Sequence, residues 1–277
     1  MSTKTRTRVL SAVACLALFS PLAFAQEPES PQPSGQQRQG PPTGLSYELG
    51  VGTIANPAFQ GASSYDTTVV PYFDVRYSDA QGLKYFGNVP QGFGGYIKRD
   101  RDGRGSQNDW FVSLAPGFAN RDSDELVGID EFGPSAELRL GWEFARGSWA
   151  LGATVAQAVA TGHEGAYLDL NASWRKRLGQ RGFFSFGPRI RIADRQYMNA
   201  FYGITPRESV TSGLGVFEAG AGVESVGVQG ILSVPLGERW RLTTVAALTR
   251  LQQDAADSTL TREPNQGFFL TALTRRF

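Results

Sequence analysis

The sequence holds a single histidine, His163, in the run Thr161-Gly162-His163-Glu164-Gly165. An imidazole next to a carboxylate can serve as base and orienter for a serine nucleophile, the chemistry of a barrel lipid hydrolase. That chemistry needs the histidine on a rigid strand facing lipid, and a strained Gly-x-Ser-x-Gly elbow is one way to present the serine. Here His163 lies between glycines in a connection, and no such elbow occurs. A loop histidine that hydrogen-bonds its own turn fits these neighbours better. Metal chemistry has still less to work with. The only cysteine, Cys15, falls in the apolar N-terminal run, so a zinc or copper site would lack both thiolate and paired imidazole ligands. Asp122, Asp124, Glu125, Asp130 and Glu131 gather in one connection. They have the chemistry to hold Ca²⁺ loosely, or to bridge lipopolysaccharide through divalent ions. Such a run is more often a solvated loop. We therefore assign no catalytic residue, metal or cofactor.

A second set of charges is ordered by spacing. Asp74, Arg76, Glu137, Arg139, Glu143, Asp169, Arg175, Arg189, Arg191 and Arg241 share one parity within alternating segments. If those segments are barrel strands, the charges face the lumen. They then either line a water-filled path for small solutes or pair with one another and close it. Both signs occur on neighbouring segments, which favours pairing and a mostly closed lumen.

The elements that must carry these residues show a strict period of two. Ala136, Leu138, Leu140, Trp142 and Phe144 oppose Glu137, Arg139, Gly141 and Glu143. Leu168, Leu170, Ala172 and Trp174 oppose Tyr167, Asp169, Asn171, Ser173 and Arg175. A soluble sandwich or lipocalin-like barrel also alternates, but would not place charges at strand centres in its core. Trp110, Trp142, Trp149, Trp174 and Trp240 fall near segment ends, where an interfacial girdle belongs. The expected fold is thus all-β, a transmembrane antiparallel up-and-down barrel of about twelve strands: 45–54, 66–77, 82–88, 91–98, 109–119, 133–144, 147–158, 165–177, 181–193, 220–236, 239–250 and 267–277. Short connections fall on one side, the longer 55–65, 120–132, 194–219 and 251–266 on the other. On the short side, 100–107 is unusually long and charged. The segment 194–219, rich in aromatic and small residues, is placed to fold over or into the mouth.

The N-terminal region has a different texture. Residues 1–25 read as a secretory signal peptide: Lys4, Arg6 and Arg8, a short apolar run, then Ala23-Phe24-Ala25 before an expected cut at Gln26. Residues 26–44, rich in Pro, Gln, Ser and Gly, read as a flexible periplasmic arm ahead of a barrel domain at 45–277. The whole chain has 27 basic and 26 acidic side chains, and losing Lys4, Arg6 and Arg8 turns a net +1 into a net −2. That balance gives no basic face for nucleic acid. The last segment ends on Phe277, a terminal aromatic of the kind recognised by the barrel assembly machinery, with Arg275 where a third-from-last aromatic is usual.

Several short segments, in order, resemble the MipA/OmpV family of MltA-interacting proteins. These are Leu49-Gly50-Val51-Gly52, Gly162-His163-Glu164-Gly165 and Tyr197-Met198-Asn199-Ala200-Phe201-Tyr202-Gly203-Ile204-Thr205. Ser212-Gly213-Leu214 and Asp254-Ala255-Ala256-Asp257-Ser258 follow. Gly162, His163, Gly165, Tyr197, Asn199, Tyr202, Gly203, Ser212, Gly213, Asp257 and Ser258 are the loop positions that carry the match. The resemblance implies a bacterial outer-membrane barrel in contact with membrane lipid and lipopolysaccharide. It also implies a scaffold that joins a murein transglycosylase to a murein synthase, or a surface-interaction protein, rather than an enzyme.

Overall fold

The computed structural model describes residues 43–277 except 81, 103, 104, 118, 120, 161 and 180. The expected signal peptide, and the expected arm up to residue 42, lie outside the described residues. Twelve strands make up the wall. They are β1 Gly44–Pro57, β2 Tyr65–Asp79, β3 Gly82–Asn88, β4 Gly92–Arg101, β5 Ser106–Gly117, β6 Ser135–Arg146, β7 Trp149–Ala160, β8 Ala166–Leu178, β9 Gly182–Ala193, β10 Gly222–Leu236, β11 Trp240–Leu251 and β12 Asn265–Arg276. Each is antiparallel to the next, and β1 pairs with β12 from Glu48↔Arg276 to Ala55↔Phe269 to close the barrel. Closure gives every strand a neighbour on both sides, although the short β3 covers only the Asp74–Asp79 end of β2.

The pattern that makes these strands also decides which side is wet. Glu137 and Arg139 are each 1% exposed, whereas Leu138 and Leu140 between and beyond them are 50% and 45% exposed. The same inversion runs along β9, where Ser185, Arg189 and Arg191 are buried and Phe186, Ile190 and Ile192 are exposed. A soluble barrel would bury the second set; an apolar outer wall around a polar interior belongs in a bilayer. No helix among the described residues is long and apolar enough to cross a membrane.

Two features differ from the sequence expectation. The connection expected at 100–107 is a tight hairpin, because β4 runs on to Arg101 and β5 starts at Ser106. The Asp102 carboxylate accepts the Ser106 N–H (2.6 Å) and closes it. The long connections, expected as loops, hold three short helices, α1 Arg195–Tyr202, α2 Pro206–Ser212 and α3 Gln253–Asp257. Asp194 starts α1, one carboxylate oxygen accepting the Tyr197 N–H and the other the Ala166 N–H of β8. Thr205 and Glu208 form a capping box at α2, with Pro206 at its first turn and Gly213 in the left-handed conformation at its end. Above the mouth, Phe59, Leu126, Ile129, Ile204 and Leu260 form a small second core that packs the loops into a crown.

Candidate functional site

Helix α1 sits inside the mouth of the barrel. Its apolar side chains recur at i, i+4 spacing, Tyr197 with Phe201 and Met198 with Tyr202, and all four are 0–2% exposed. They join Ile54, Val70, Ile231, Val245, Phe268 and Leu270 from the wall in one core. The lumen beneath the loops is therefore filled with side chains.

The polar half of that filling is a network of paired charges. Glu137 accepts hydrogen bonds from Arg139 (2.7 and 3.0 Å) and from the Tyr167 hydroxyl (2.8 Å). Arg139 also donates to the Pro90 and Pro116 carbonyls at 2.9 and 3.1 Å, so the buried β3–β4 turn is tied in. Asp169 takes a two-pronged contact from Arg191 (2.9 and 2.7 Å) and one from Arg189 (3.2 Å). Arg191 stacks on the Tyr167 ring at 4.0 Å and donates to the Tyr197 hydroxyl at 3.1 Å, which links the wall to the plug. On the other flank, Tyr202 donates to Glu224 at 2.9 Å. Buried charges need partners to persist, and every charged side chain in this set has one, although the Arg189 Nη1 is left without a hydrogen bond.

His163 belongs to the same assembly. Its Nδ1 accepts the Gly165 N–H (3.2 Å), its Nε2 lies 3.6 Å from the Glu137 carboxylate, and its ring meets Tyr197 and Phe201 edge-on. The imidazole is only 4% exposed and has no face toward lipid.

The remaining lumen charges lie toward the short turns, where Arg76, Arg241 and Glu48 are more exposed while Asp74 stays buried. Asp74 pairs with Arg76, whose side chain is 33% exposed, and Arg241 reaches Glu48 at 3.4 Å. Glu143 and Arg175 line a small hollow with Tyr96, Arg99 and Asp109. In the crown, Arg121 bridges Glu208 (3.1 Å) and the α1 carbonyls of Ala200 and Gly203. Burial alone would raise the Glu208 carboxyl. Donation from the Thr205 N–H and hydroxyl and from the Asp130 N–H, with the Arg121 charge, holds it below the usual carboxylate range. Of the crown acids, Glu125 pairs with Arg262 and Asp130 with Arg207. No cluster of potential metal ligands occurs among the described residues.

The MltA-interacting protein MipA family matches residues 49–277. The chain belongs to that family. No curated protein matches it. Among solved structures it is similar to Pseudomonas putida OprB, at a TM-score of 0.38 and 8% identity, over 76% of this chain and 56% of that one. The chain thus spans a little over half the length of OprB.

In this MipA-family chain, most of the loop positions that carried the sequence resemblance converge on α1. A Cβ on Gly165 would come within 2.1 Å of the Tyr197 nitrogen, so only glycine lets the helix start against β8. Gly162 holds a positive φ of 64°. Asn199 clasps Ala219, accepting its N–H and donating to its carbonyl, each at 2.8 Å. Gly203 ends the helix, and Ser258 donates to the Tyr202 carbonyl at 2.6 Å. Ser212 and Gly213 instead finish α2. Asp257 is exposed at the end of α3.

Glu224 and the Arg121–Glu208 pair are not singled out in the sequence, and Tyr167 reads there only as part of the polar face of its segment. Parity assigns Glu224 to the lipid face; a bulge between Val223 and Ser225 turns it inward.

Proposed function

We propose that this chain is a closed, non-enzymatic barrel of the bacterial outer membrane that displays its loops and N-terminal arm to partners rather than passing solutes. The observation that carries the reading is the plug: α1 buries two tyrosines, a phenylalanine and a methionine in the mouth and is fastened from β8, β9, β10 and three loops. A solute gate would need a segment held by few contacts. A hydrolase centred on His163 is disfavoured by the same geometry, which shuts the imidazole away from any substrate.

Barrels of this class turn their short connections to the periplasm. A signal peptide at 1–25, cut between Ala25 and Gln26, would deliver the 26–44 arm to that side together with Phe277, where the assembly machinery engages the last strand. The family takes its name from interaction with MltA, so a murein transglycosylase, coupled to a murein synthase, is the partner class we favour. On the outside, the crown would meet lipopolysaccharide.

Planar-bilayer recording of the purified protein tests closure: no stable unitary steps are expected, and reproducible steps abolished by bulky lumen substitutions would establish a channel instead. Crosslinked pull-down from envelopes, with and without residues 26–44, tests the partner. Recovery of a murein enzyme that depends on the arm is expected; recovering none removes the scaffold role.

A further inference from the structure

The outer wall is not uniform around its circumference. Four of the chain's five tryptophans, Trp110, Trp142, Trp149 and Trp174, stand on β5–β8 at the short-turn end. Trp110 pairs across the sheet with Trp142, and Trp149 with Trp174, giving an aromatic patch of two cross-strand indole pairs. Trp174 also meets Phe184 edge-on at 6.5 Å.

One pleat or two beyond this patch, on the same outward face, come two exposed cations, Arg146 on β6 and Lys176 on β8. Arg146 is the cross-strand neighbour of Trp149, and Lys176 that of Phe184. Neither has a carboxylate partner among the described residues. The cations on the adjoining β3 and β4 differ, Lys98 even though it stands opposite Trp110: Lys84 pairs with Asp79 at 3.5 Å and Lys98 with Asp100 at 3.0 Å. Arg275, the outward cation beside Trp240, has no carboxylate partner among the described residues either, but it lies over the Trp240 and Phe277 rings at 6.0 and 5.2 Å.

We propose that this β5–β8 corner binds the phosphate headgroup of an anionic glycerophospholipid in the leaflet that faces the short turns. Indole rings settle at headgroup depth, with the ring body in the hydrocarbon and the N–H toward water. A cation just beyond them reaches the phosphate layer, and anionic lipid is drawn to such side chains. The two cations flank Trp149 and Trp174, so one headgroup can meet both charges while its acyl chains lie along Leu151 and Leu170, which are exposed on the adjoining wall. An acidic protein docked on the turns is the competing occupant. It explains the charges but not the tryptophans, which face sideways into the bilayer. The inference rests on the outer-membrane reading above.

The test uses the full chain reconstituted in nanodiscs of phosphatidylcholine with a minor fraction of phosphatidylglycerol, with lipids held through detergent extraction then quantified. Several-fold enrichment of phosphatidylglycerol is expected. It should fall by roughly tenfold in the Arg146→Gln/Lys176→Gln double variant, be restored by Arg146→Lys with Lys176 intact, and persist in Lys84→Gln/Lys98→Gln. No enrichment in the parent protein overturns the proposal, as does equal loss in both double variants, which would report net charge alone. Preference for lipid A over phosphatidylglycerol, or binding of polyglutamate without lipid enrichment, would replace it with another ligand. Failure of the chain to insert into any bilayer would instead refute the membrane reading itself.

Discussion

The two ends of the lumen are built from the same residue types and behave differently. Toward the loops, Glu137, Arg139, Asp169 and Arg191 are each 1% exposed, and Arg191 stacks on the Tyr167 ring. Toward the short turns, Arg76, Arg241 and Glu48 keep a fifth to a third of their side chains exposed. A pair that water can reach contributes little, because water replaces a lost partner. A pair sealed under a plug cannot be replaced, so removing one member strands the other in a medium that will not solvate it. The sealed end should carry the stability and the loop architecture, and the wet end should tolerate change.

The sharpest way to break that comparison is Glu137→Leu. It strands Arg139 and the Tyr167 hydroxyl and removes the partner of His163, and should cost about 3–5 kcal/mol. Glu48→Leu, the nominally equivalent change at the wet end, should cost about 1 kcal/mol. Urea unfolding in one detergent, followed by tryptophan emission, measures both. Equal losses would mean that the two ends are not distinct.

Tyr197→Ala comes next. It empties the centre of the plug and frees Arg191 from its hydroxyl partner, and a loss of about 3 kcal/mol is expected from the cavity. If the plug alone closes the lumen, this variant should also show conductance bursts absent from the parent chain, and silence would show that the wall residues seal it unaided.

The crown lies between these extremes, and acid separates it from the sealed core. The folded-state pKa of Glu208 is depressed, so its contribution is fully present above the unfolded carboxylate value, near ~4.3, and is lost as pH falls through the lower folded value. Hydrogen exchange at the α2 amides should therefore stay slow through neutral and mildly acidic pH and accelerate only below about pH 4. Glu208→Ala should show the fast exchange at every pH and cost about 2 kcal/mol. Acceleration near neutrality would mean that another group holds α2.

How much of this is legible in the residues differs between wall and plug. Twelve strands follow from alternation because a lipid-facing wall has no other way to hide apolar groups, and the parity that sets Glu137 beside Arg139 is the parity that turns both inward. Alternation fails where the backbone departs from it, as at Glu224, whose bulge adds a residue no pattern marks. Helix α1 is only weakly marked in the sequence. Its Tyr197/Phe201 and Met198/Tyr202 spacing is helical and Asp194 is a good cap, but eight residues are too few for periodicity to outweigh a loop. The capping box at Thr205 and Glu208, with Pro206 between, was the clearer signal.

The smallest effect is expected where the barrel closes, and it is the most useful check on the wet end. Glu48 on β1 and Arg241 on β11 meet across β12, whose Thr274 donates to Glu48 at 3.0 Å. The contact bridges the seam between the first and last strands, so a purely topological argument would make it essential. Its exposure argues otherwise: both side chains are about 20% exposed, and the β1–β12 ladder already closes the seam through backbone hydrogen bonds. Arg241→Gln should cost less than about 1 kcal/mol, and that small difference should shrink further in high salt. A salt-insensitive loss above about 3 kcal/mol would show that the seam depends on this ion pair, and the wet end would then have to be regarded as a second sealed core.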